Sequence, residues 1–457
     1  MDQSAQVQSE ESYEGGRGKV FELPSPNAGV CHLPPEVVNI IFEHASSDKT
    51  VISACSLVSS SWRALSLSHL FSSLTVARQN TFDDFGDFLD AHSDISYTVR
   101  ILVLQHLPGG PGLFMTIAPL VALAAKLPRL QVLHLARIWL AVDLPLPSSF
   151  PPTAPPRRLE KLIVNNCTSG DNRWFSPRTI YGILATFPAD AVSLYLLTVG
   201  ADIPSQIVPP GTSSKLYPPH EATRVRIHSL TLDRNNASAF PMHDMAPLHE
   251  GLRLTLAPLC LHTFRSRSGL DRRNPESLRV FGELMSQIGG ETLRHLEFPF
   301  IIGQVVYPSE DEPDHWRALR LHTCRNLETV VFSISVPLLQ TLTIPRRAQE
   351  PPRVPVCAVL VAFLPHLPLT LRTCKLVLSN VGLPARIQSR RTMDLERLDA
   401  ALRDRLPSLT KIQIVLQGRK PFEVEQCVQT VQELMPVCRN NGLLHVTVEK
   451  EETMLGL

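Results

Sequence analysis

The chain has 457 residues, of which 44% are hydrophobic and 19% are charged, and its formal net charge is +1. This composition is typical of a globular protein with two or three domain-sized parts, and it excludes an extensively disordered chain. The near-neutral charge excludes a general attraction to nucleic acid or anionic membrane, so partners have to be selected by local surface chemistry. The longest apolar run, from about Val354 to Leu369, is interrupted by prolines, so we expect no membrane-spanning segment.

Residues 1–28 are poor in aliphatic side chains and rich in Ser, Glu, Gln and Gly, which predicts a disordered tail. This segment contains no apolar signal region. The nine cysteines are scattered and none forms a CxxC pair, which is typical of reduced thiols. We therefore expect a cytoplasmic and/or nuclear protein.

The pattern of residues 31–71 predicts three short helices, and the first is expected to begin at Leu33-Pro34-Pro35-Glu36. Proline loses no hydrogen bond at the first helical positions, and an acidic residue in the first turn suits the helix dipole. Apolar residues cover more of this helix than one core contact requires. They are Val37, Ile40 and Ile41, on one face with His44, and Val38 and Phe42, on a neighbouring face.

Asp48 is a suitable N-cap for the second helix of this segment. The spacing places Val51, Ile52, Cys55 and Val58 on the buried side of that helix. A third helix continues through Trp62 and Leu65 and ends at Leu70-Phe71.

A unit of about 40 residues rarely folds without a staple or a partner, and this one has neither a metal-ligand spacing nor a cysteine pair. Its surplus apolar face therefore predicts a docking surface. The order Leu33-Pro34-x-Glu36, an apolar helix, Leu57-Val58-Ser59 and Trp62-Arg63 resembles an F-box, of the type expanded in mushroom-forming fungi. One departure is Ser60, because many F-boxes carry a basic residue shortly before the tryptophan. The alternative is an ordinary helical hairpin within a larger domain.

The resemblance implies that the segment binds the Skp adaptor, and through it a cullin, in an SCF-type cullin–RING E3 ubiquitin ligase. It does not say which residues form the core of the F-box and which face the adaptor. The residues implied in adaptor binding are Leu33, Pro34, Pro35, Glu36, Val37, Ile40, Ile41, Leu57, Val58, Trp62 and Leu65.

After the F-box-like segment, short pieces of the form L-x-x-L-x-L recur about 28 to 37 residues apart, with one wider gap. Regular spacing of this kind predicts stacked repeats, and the nearest template is the leucine-rich repeat, whose usual period is about 20–29. The pieces are VRILVLQ, LPRLQVLHLAR, RRLEKLIVNN, SLYLLTV, RIHSLTLD, CLHTFRS, TLRHLEF, RNLETVVF, TCKLVLSN, LPSLTKIQIVL and LLHVTVE.

Amphipathic helices between these pieces predict an α/β fold with a curved parallel sheet and helices outside it. Helices are expected from Pro177 to Pro188, from Pro275 to Gly289, through Leu395–Leu402, and from Val424 through Cys438 to near Gly442. The expected organisation is a tail at 1–28, an F-box at 29–78, a leucine-rich-repeat-like solenoid at 79–450 and a tail at 451–457.

The sequence contains no nucleophile elbow, no HExxH helix and no phosphate-binding glycine loop, so we expect neither enzymatic activity nor a cofactor. Cys260 with His262, and His322 with Cys324, place possible metal ligands two residues apart. A zinc site needs about four ligands, so ordinary packing is the preferred interpretation of both pairs and no metal is expected.

Residues between the repeat leucines should line the other face of the sheet, which solenoids use to bind partners. Together with the F-box resemblance, this predicts a substrate receptor that holds a protein target of unknown identity. The alternatives are a non-ligase interaction scaffold, whose F-box-like unit packs on its own repeat domain, and an enzyme built on the solenoid. The predicted target-binding residues are His134, Lys161, Asn165, Asp233, His295, Glu297, Thr329 and Lys411.

Overall fold

A computed structural model describes the chain in fourteen ranges. They are residues 33–45, 48–78, 81–107, 114–141, 157–169, 177–195, 224–233, 246–266, 275–300, 315–335, 355–379, 384–390, 393–418 and 421–450. The chain divides into an N-terminal unit, Met1–Leu70, and a C-terminal unit, Phe71–Leu457. The tails expected at 1–28 and 451–457 lie outside the described residues.

The N-terminal unit consists of the three helices that the sequence predicts. They are α1 (Pro35–His44), α2 (Lys49–Cys55) and α3 (Ser60–Leu70). Pro35 is the first residue of α1, and the Asp48 carboxylate caps α2 by accepting hydrogen bonds from the backbone N–H groups of Thr50 and Val51. Both helix starts are therefore confirmed.

The C-terminal unit is an α/β structure built on a parallel sheet of 12 strands, and each inner strand pairs with the sheet strands that precede and follow it in the chain. The strands of this long sheet are β1 (Ser73–Arg78), β2 (Ile101–His106), β4 (Val132–Ala136), β6 (Leu159–Asn165), β8 (Ala189–Tyr195), β9 (Ser229–Asp233), β10 (Thr263–Ser266), β11 (His295–Phe300), β12 (Thr329–Ser335), β13 (Thr373–Ser379), β14 (Lys411–Gly418) and β15 (Leu444–Lys450). The predicted parallel α/β architecture is confirmed.

A second sheet of 3 short strands follows β2, β4 and β6. Its strands are β3 (Phe114–Thr116), β5 (Trp139–Ala141) and β7 (Thr168–Ser169), and none of them was expected from the sequence.

Helices separate most strands of the long sheet. They are α4 (Asp83–Ala91), α5 (Ser93–Ser96), α6 (Ile117–Ala125), α7 (Pro177–Thr186), α8 (Ala246–Thr255), α9 (Pro275–Leu284), α10 (Val356–Phe363), α11 (Pro384–Gln388), α12 (Leu395–Arg405), α13 (Pro421–Leu434) and α14 (Pro436–Asn440). A π-helical turn at Met285–Gly289 continues α9, and 3-10 turns lie at His315–Leu319, Leu321–Thr323 and Leu364–His366. Helix α8 packs between α7 and α9, so successive helices also contact one another.

The leucines of the L-x-x-L-x-L pieces form the core. Leu133 and Leu135 of β4 lie on one side of the sheet and are buried, and Leu130, which precedes the strand, is buried as well. The positions that pair with Leu133 and Leu135 in the neighbouring strands are also buried. Burying one such side chain contributes about 1.5–3 kcal/mol relative to leaving it in water. Pairing of successive strands therefore brings together the apolar side chains that form the core of the C-terminal unit.

Three expectations about boundaries need correction. Strand β1 lies within the segment 29–78 that we assigned to the F-box, but it pairs in parallel with β2 and belongs to the long sheet. The strand expected from Ser193 starts at Ala189 instead. The helix expected from Val424 through Cys438 is divided into α13 and α14, because the proline at 436 has no N–H for the helical ladder.

Two close contacts join the outer elements of the C-terminal unit. A Cβ atom on Gly282 of α9 would lie 1.9 Å from the Ala318 carbonyl oxygen, so only glycine fits there. The buried Asp399 carboxylate of α12 accepts hydrogen bonds from Val437 N (2.8 Å) and Cys438 N (2.9 Å) at the start of α14. This carboxylate satisfies N–H groups that a helix start otherwise leaves unpaired.

Candidate docking surfaces

The core of the N-terminal unit consists of a few side chains from all three helices. Val38 and Phe42 of α1 and Ile52 of α2 are buried. The Phe42 ring meets Trp62 of α3 edge-on, with 5.6 Å between ring centroids, and His69 in the same way at 5.5 Å. Edge-to-face pairs of this kind add about 0.5–1.5 kcal/mol to the burial of the rings. The small core therefore orients α1 through one face, that of Val38 and Phe42.

The other apolar face of α1 is exposed. Val37, Ile40 and Ile41 lie three and four residues apart, so they share a helix face, and Ile40 keeps 52% of its surface exposed. Isolated exposed leucines and isoleucines are common on protein surfaces, whereas a face of such residues is characteristic of an interaction site. On α1 the structure therefore shows which apolar residues belong to the core and which lie at the surface, a question that the sequence left open.

The connection between α2 and α3 is the second exposed apolar segment. Leu57 is 85% exposed and Val58 is 65% exposed, and Val51 of α2 is exposed as well. The expectation that Val51 and Val58 lie on the buried side of the second helix is wrong. Helix α2 has only 7 residues and buries Ile52 alone, while Cys55 is half-buried and Val58 lies beyond the helix end.

The residues implied in adaptor binding are therefore mostly at the surface. Leu33, Pro34, Pro35, Glu36, Val37, Ile40, Ile41, Leu57 and Val58 are exposed, and Trp62 and Leu65 are partly buried. Val51 is an exposed apolar residue that sequence reasoning did not include. Among the described residues, half of the exposed large hydrophobic side chains belong to residues 33–58. We call this set, defined as Leu33, Val37, Ile40, Ile41, Val51, Leu57 and Val58, the N-terminal apolar surface.

The strand register of the long sheet places the predicted target-binding residues on one face, opposite the leucine core. Parallel pairing aligns equivalent side chains of successive strands into rows across the sheet. We number these rows from the start of the strands. The first row contains Lys161, His295, Thr329 and Lys411, the second contains His134 and Glu297, and the third contains Asn165 and Asp233. The alternation of side chains along each strand therefore correctly predicted that all eight residues lie on the face opposite the leucines.

This face is not uniformly open to solvent. His134 is only 6% exposed, and its row neighbours Ile163 and Ser193 are buried too. His134 was predicted as a target-binding residue, but this burial leaves little of its side chain accessible to a partner. Burial, and to a smaller extent the positive charge of Lys161, lower the pKa of His134, so its imidazole is held neutral. The side-chain atoms His134 Nε2 and Asn165 Oδ1 are buried and have no hydrogen-bond partner among the residues that the structure describes.

Later strands present a charged section of the same face. Arg265 lies 3.7 Å from Glu297 in the second row, and Lys375 lies 3.8 Å from Glu449. His295 is exposed, while Thr329 and Lys411 are half-exposed. Glu297 is therefore already paired within the chain, and a ligand at that position has to compete with Arg265.

No group of three or more His, Cys, Asp or Glu residues in the described part of the chain could hold a metal ion. In the pair proposed from the sequence, His262 Nδ1 lies 3.2 Å from the Cys260 carbonyl oxygen, which is a local backbone contact. Burial raises the pKa of the Cys260 thiol, and it raises the pKa of Cys324 to about 11. Both cysteines are protonated side chains of the core.

None of the described helices is both long enough and apolar enough to cross a lipid bilayer. The chain matches no protein-family model, and no curated protein sequence resembles it significantly. Its two candidate surfaces, the N-terminal apolar surface and the polar face of the long sheet, are therefore interpreted from their own chemistry.

Proposed function

We propose that the chain is the substrate-recognition subunit of an SCF-type cullin–RING E3 ubiquitin ligase. In this proposal the N-terminal unit is an F-box that docks on the Skp adaptor. The C-terminal unit is a leucine-rich-repeat-like solenoid with a curved sheet that holds a protein target. The protein contributes no catalytic group, and it acts by raising the concentration of target lysines near the ubiquitin-transfer machinery.

The exposure of the N-terminal apolar surface is the observation on which the proposal depends. Within the N-terminal unit, the F-box-like segment uses Val38, Phe42 and Ile52 for its own core, while Ile40, Leu57 and their neighbours are exposed. A helical partner with a complementary groove would remove this area from water at about 25 cal/mol per Å². An apolar face that the unit does not use for its own core supports docking of a partner on the N-terminal unit.

Co-purification of full-length protein with a Skp adaptor tests the proposal. The double variant Ile40→Ser/Leu57→Ser changes two exposed residues that have no role in the core, so the fold should persist. Truncating central apolar contacts of an interface typically costs 2 kcal/mol or more, which is about a 30-fold loss of affinity. The variant should lose the adaptor while its circular dichroism spectrum and thermal unfolding remain those of the wild type.

A matched control is the double variant Ile101→Ser/Leu107→Ser, which removes two exposed apolar residues of the C-terminal unit. It should retain the adaptor. A Leu33→Ala/Pro34→Ala variant, which changes the start of the F-box-like motif, should also lose it. If wild-type protein and both N-terminal variants bind the adaptor equally, or if none binds, the ligase assignment is wrong.

A further inference from the structure

Strand β1 forms one edge of the long sheet, and the backbone groups on its outer side pair with no other strand. Of these groups, the Ala77 carbonyl accepts a hydrogen bond from Arg78 Nη1 at 3.3 Å, which a bound peptide would have to displace. The carbonyls of Ser72 and Arg78 accept hydrogen bonds from Ile101 N and Leu107 N, so the even-numbered residues of this segment point their backbone groups toward β2. In a parallel ladder the intervening residues then point theirs outward. The outward positions are Ser73, Thr75 and Ala77, and the described residues supply no main-chain partner for them.

Proteins usually protect such an edge with charged side chains or proline, because it can pair with any extended chain. The opposite edge strand follows this rule, since β15 carries Glu449 and Lys450. Strand β1 has the sequence SLTVAR, with no proline and with its single charge at the last residue, Arg78. Ser73 and Thr75 are exposed. The edge of β1 is thus a template for a further strand.

A cavity of about 290 Å³ adjoins this edge, between β1 and α4. Val76 of β1 and Phe85 and Phe88 of α4 form its apolar part, and Arg78 and Asp84 also line it. Side chains of an added strand alternate between the two faces of the sheet, so every second one would face α4. The cavity is large enough to receive an aliphatic side chain from that position.

The surface of α4 and α5 next to the cavity is acidic. Five aspartates occur between residues 83 and 94, and Asp90 is paired with Lys126 at 2.6 Å. Among the described residues Asp83, Asp84, Asp87 and Asp94 have no ion pair. Asp84 lines the cavity, and Asp87 lies one turn further along α4. Basic groups on either side of an apolar side chain would complement this surface.

We propose that the edge of β1 binds an extended peptide segment by strand addition, with an aliphatic side chain in the cavity and Lys or Arg residues two positions to either side. Main-chain hydrogen bonds to Ser73, Thr75 and Ala77 hold the segment, and the cavity and the aspartates select its sequence. All these groups belong to the C-terminal unit, so the site does not depend on adaptor docking. It gives the proposed receptor a defined class of target segment.

Fluorescence anisotropy with labelled peptides and the full-length protein tests the proposal. The probe contains Lys-Thr-Ile-Thr-Lys between serines, which places both lysines and the isoleucine on the α4 side of an added strand. Its isomer Thr-Lys-Ile-Lys-Thr has the same composition but places the lysines on the opposite face. A third peptide replaces both lysines with glutamate. We expect the first peptide to bind at least tenfold more tightly than either of the others.

Variants separate strand addition from simple charge attraction. Thr75→Pro removes an outward N–H and leaves the ladder between β1 and β2 intact, as edge strands tolerate. It should abolish binding, whereas Thr75→Ala should not. Asp84→Asn should weaken binding several-fold, while Asp94→Asn serves as the acidic control and should have little effect.

Hydrogen exchange gives a direct readout, because the amides of Thr75 and Ala77 should become protected when the peptide binds. The proposal is overturned if no peptide binds or if the two isomers bind equally. It is also overturned if folded Thr75→Pro protein binds as well as the wild type. Adaptor co-purification has no bearing on any of these outcomes, so this proposal and the ligase assignment can fail separately.

Discussion

His249 of α8 makes the stability of the C-terminal unit sensitive to mild acid. Its side chain is 1% exposed and its ring meets Phe281 edge-on, with 5.1 Å between centroids. Its Nδ1 atom is buried, and no group in the described part of the chain forms a hydrogen bond with it. Burial lowers the pKa of His249 from an ordinary 6.5 to about 4, because the interior disfavours the charged imidazolium.

The sign of the effect follows from the protonation states. Below pH 6.5 the unfolded chain protonates this histidine while the folded chain does not, so stability falls with pH until the folded state also protonates near pH 4. Above pH 6.5 both the folded and the unfolded chain keep His249 neutral, so this histidine then takes nothing from the free energy of unfolding. A difference of this size corresponds to about 2 kcal/mol lost between pH 7.5 and pH 5, and about 3 kcal/mol below pH 4.

The variant His249→Leu removes the titrating group and keeps a side chain of similar volume. Urea unfolding at pH 7.5, 6 and 5 should show a loss of stability on acidification that is about 2 kcal/mol smaller than in the wild type. Hydrogen exchange of the α8 amides supplies a local readout of the same change. His134 is present in both proteins, so its lowered pKa contributes equally and cancels in the comparison.

A control for this experiment is His92→Gln, which replaces an exposed histidine and should behave as the wild type. The reasoning is refuted if wild type and His249→Leu lose the same free energy of unfolding between pH 7.5 and pH 5.

Three further substitutions test the packing of the two units. Gly282→Ala should lower stability by about 1–3 kcal/mol because its Cβ would clash with the Ala318 carbonyl oxygen. Its control is Gly86→Ala, which should be tolerated because a Cβ there would only meet side-chain atoms at 3.6 Å. Thermal unfolding of the two variants measures the difference. Asp399→Ala should increase hydrogen exchange at the start of α14 and cost about 1–3 kcal/mol, and unchanged exchange there would contradict the capping role. Phe42→Ala should cost about 3–5 kcal/mol in the N-terminal unit and leave exchange in the long sheet unaltered.

The strands of the long sheet could be predicted because the repeat spacing and the buried leucines support the same assignment. Strand β1 has the same signal, since Phe71, Leu74 and Val76 follow the L-x-x-L-x-L spacing. It was missed because Phe71 was assigned to the end of the F-box-like segment. The strands β3, β5 and β7 have only two or three residues each, which is too short for any periodicity to show.

The surfaces could be predicted only in part, because alternation gives the direction of a side chain and not its access to solvent. His134 points away from the leucine core as expected, yet Ile163 and Ser193 from later segments are buried beside it. On α2 the reverse holds, since Val51 has the spacing of a core residue and is exposed. In both cases burial is decided by residues distant in sequence, which a local pattern does not contain.

The placement of apolar side chains indicates what the N-terminal segment gains from them. In the long sheet nearly every repeat leucine is buried and contributes to folding. Ile40 and Leu57 remain in water, so their apolar area contributes little to the stability of the free protein. Such a surface lowers the free energy only when another molecule covers it. If the proposed partner binds this surface, it would stabilise a small unit that has few core residues, so the proposal predicts that folding and docking of the segment are linked.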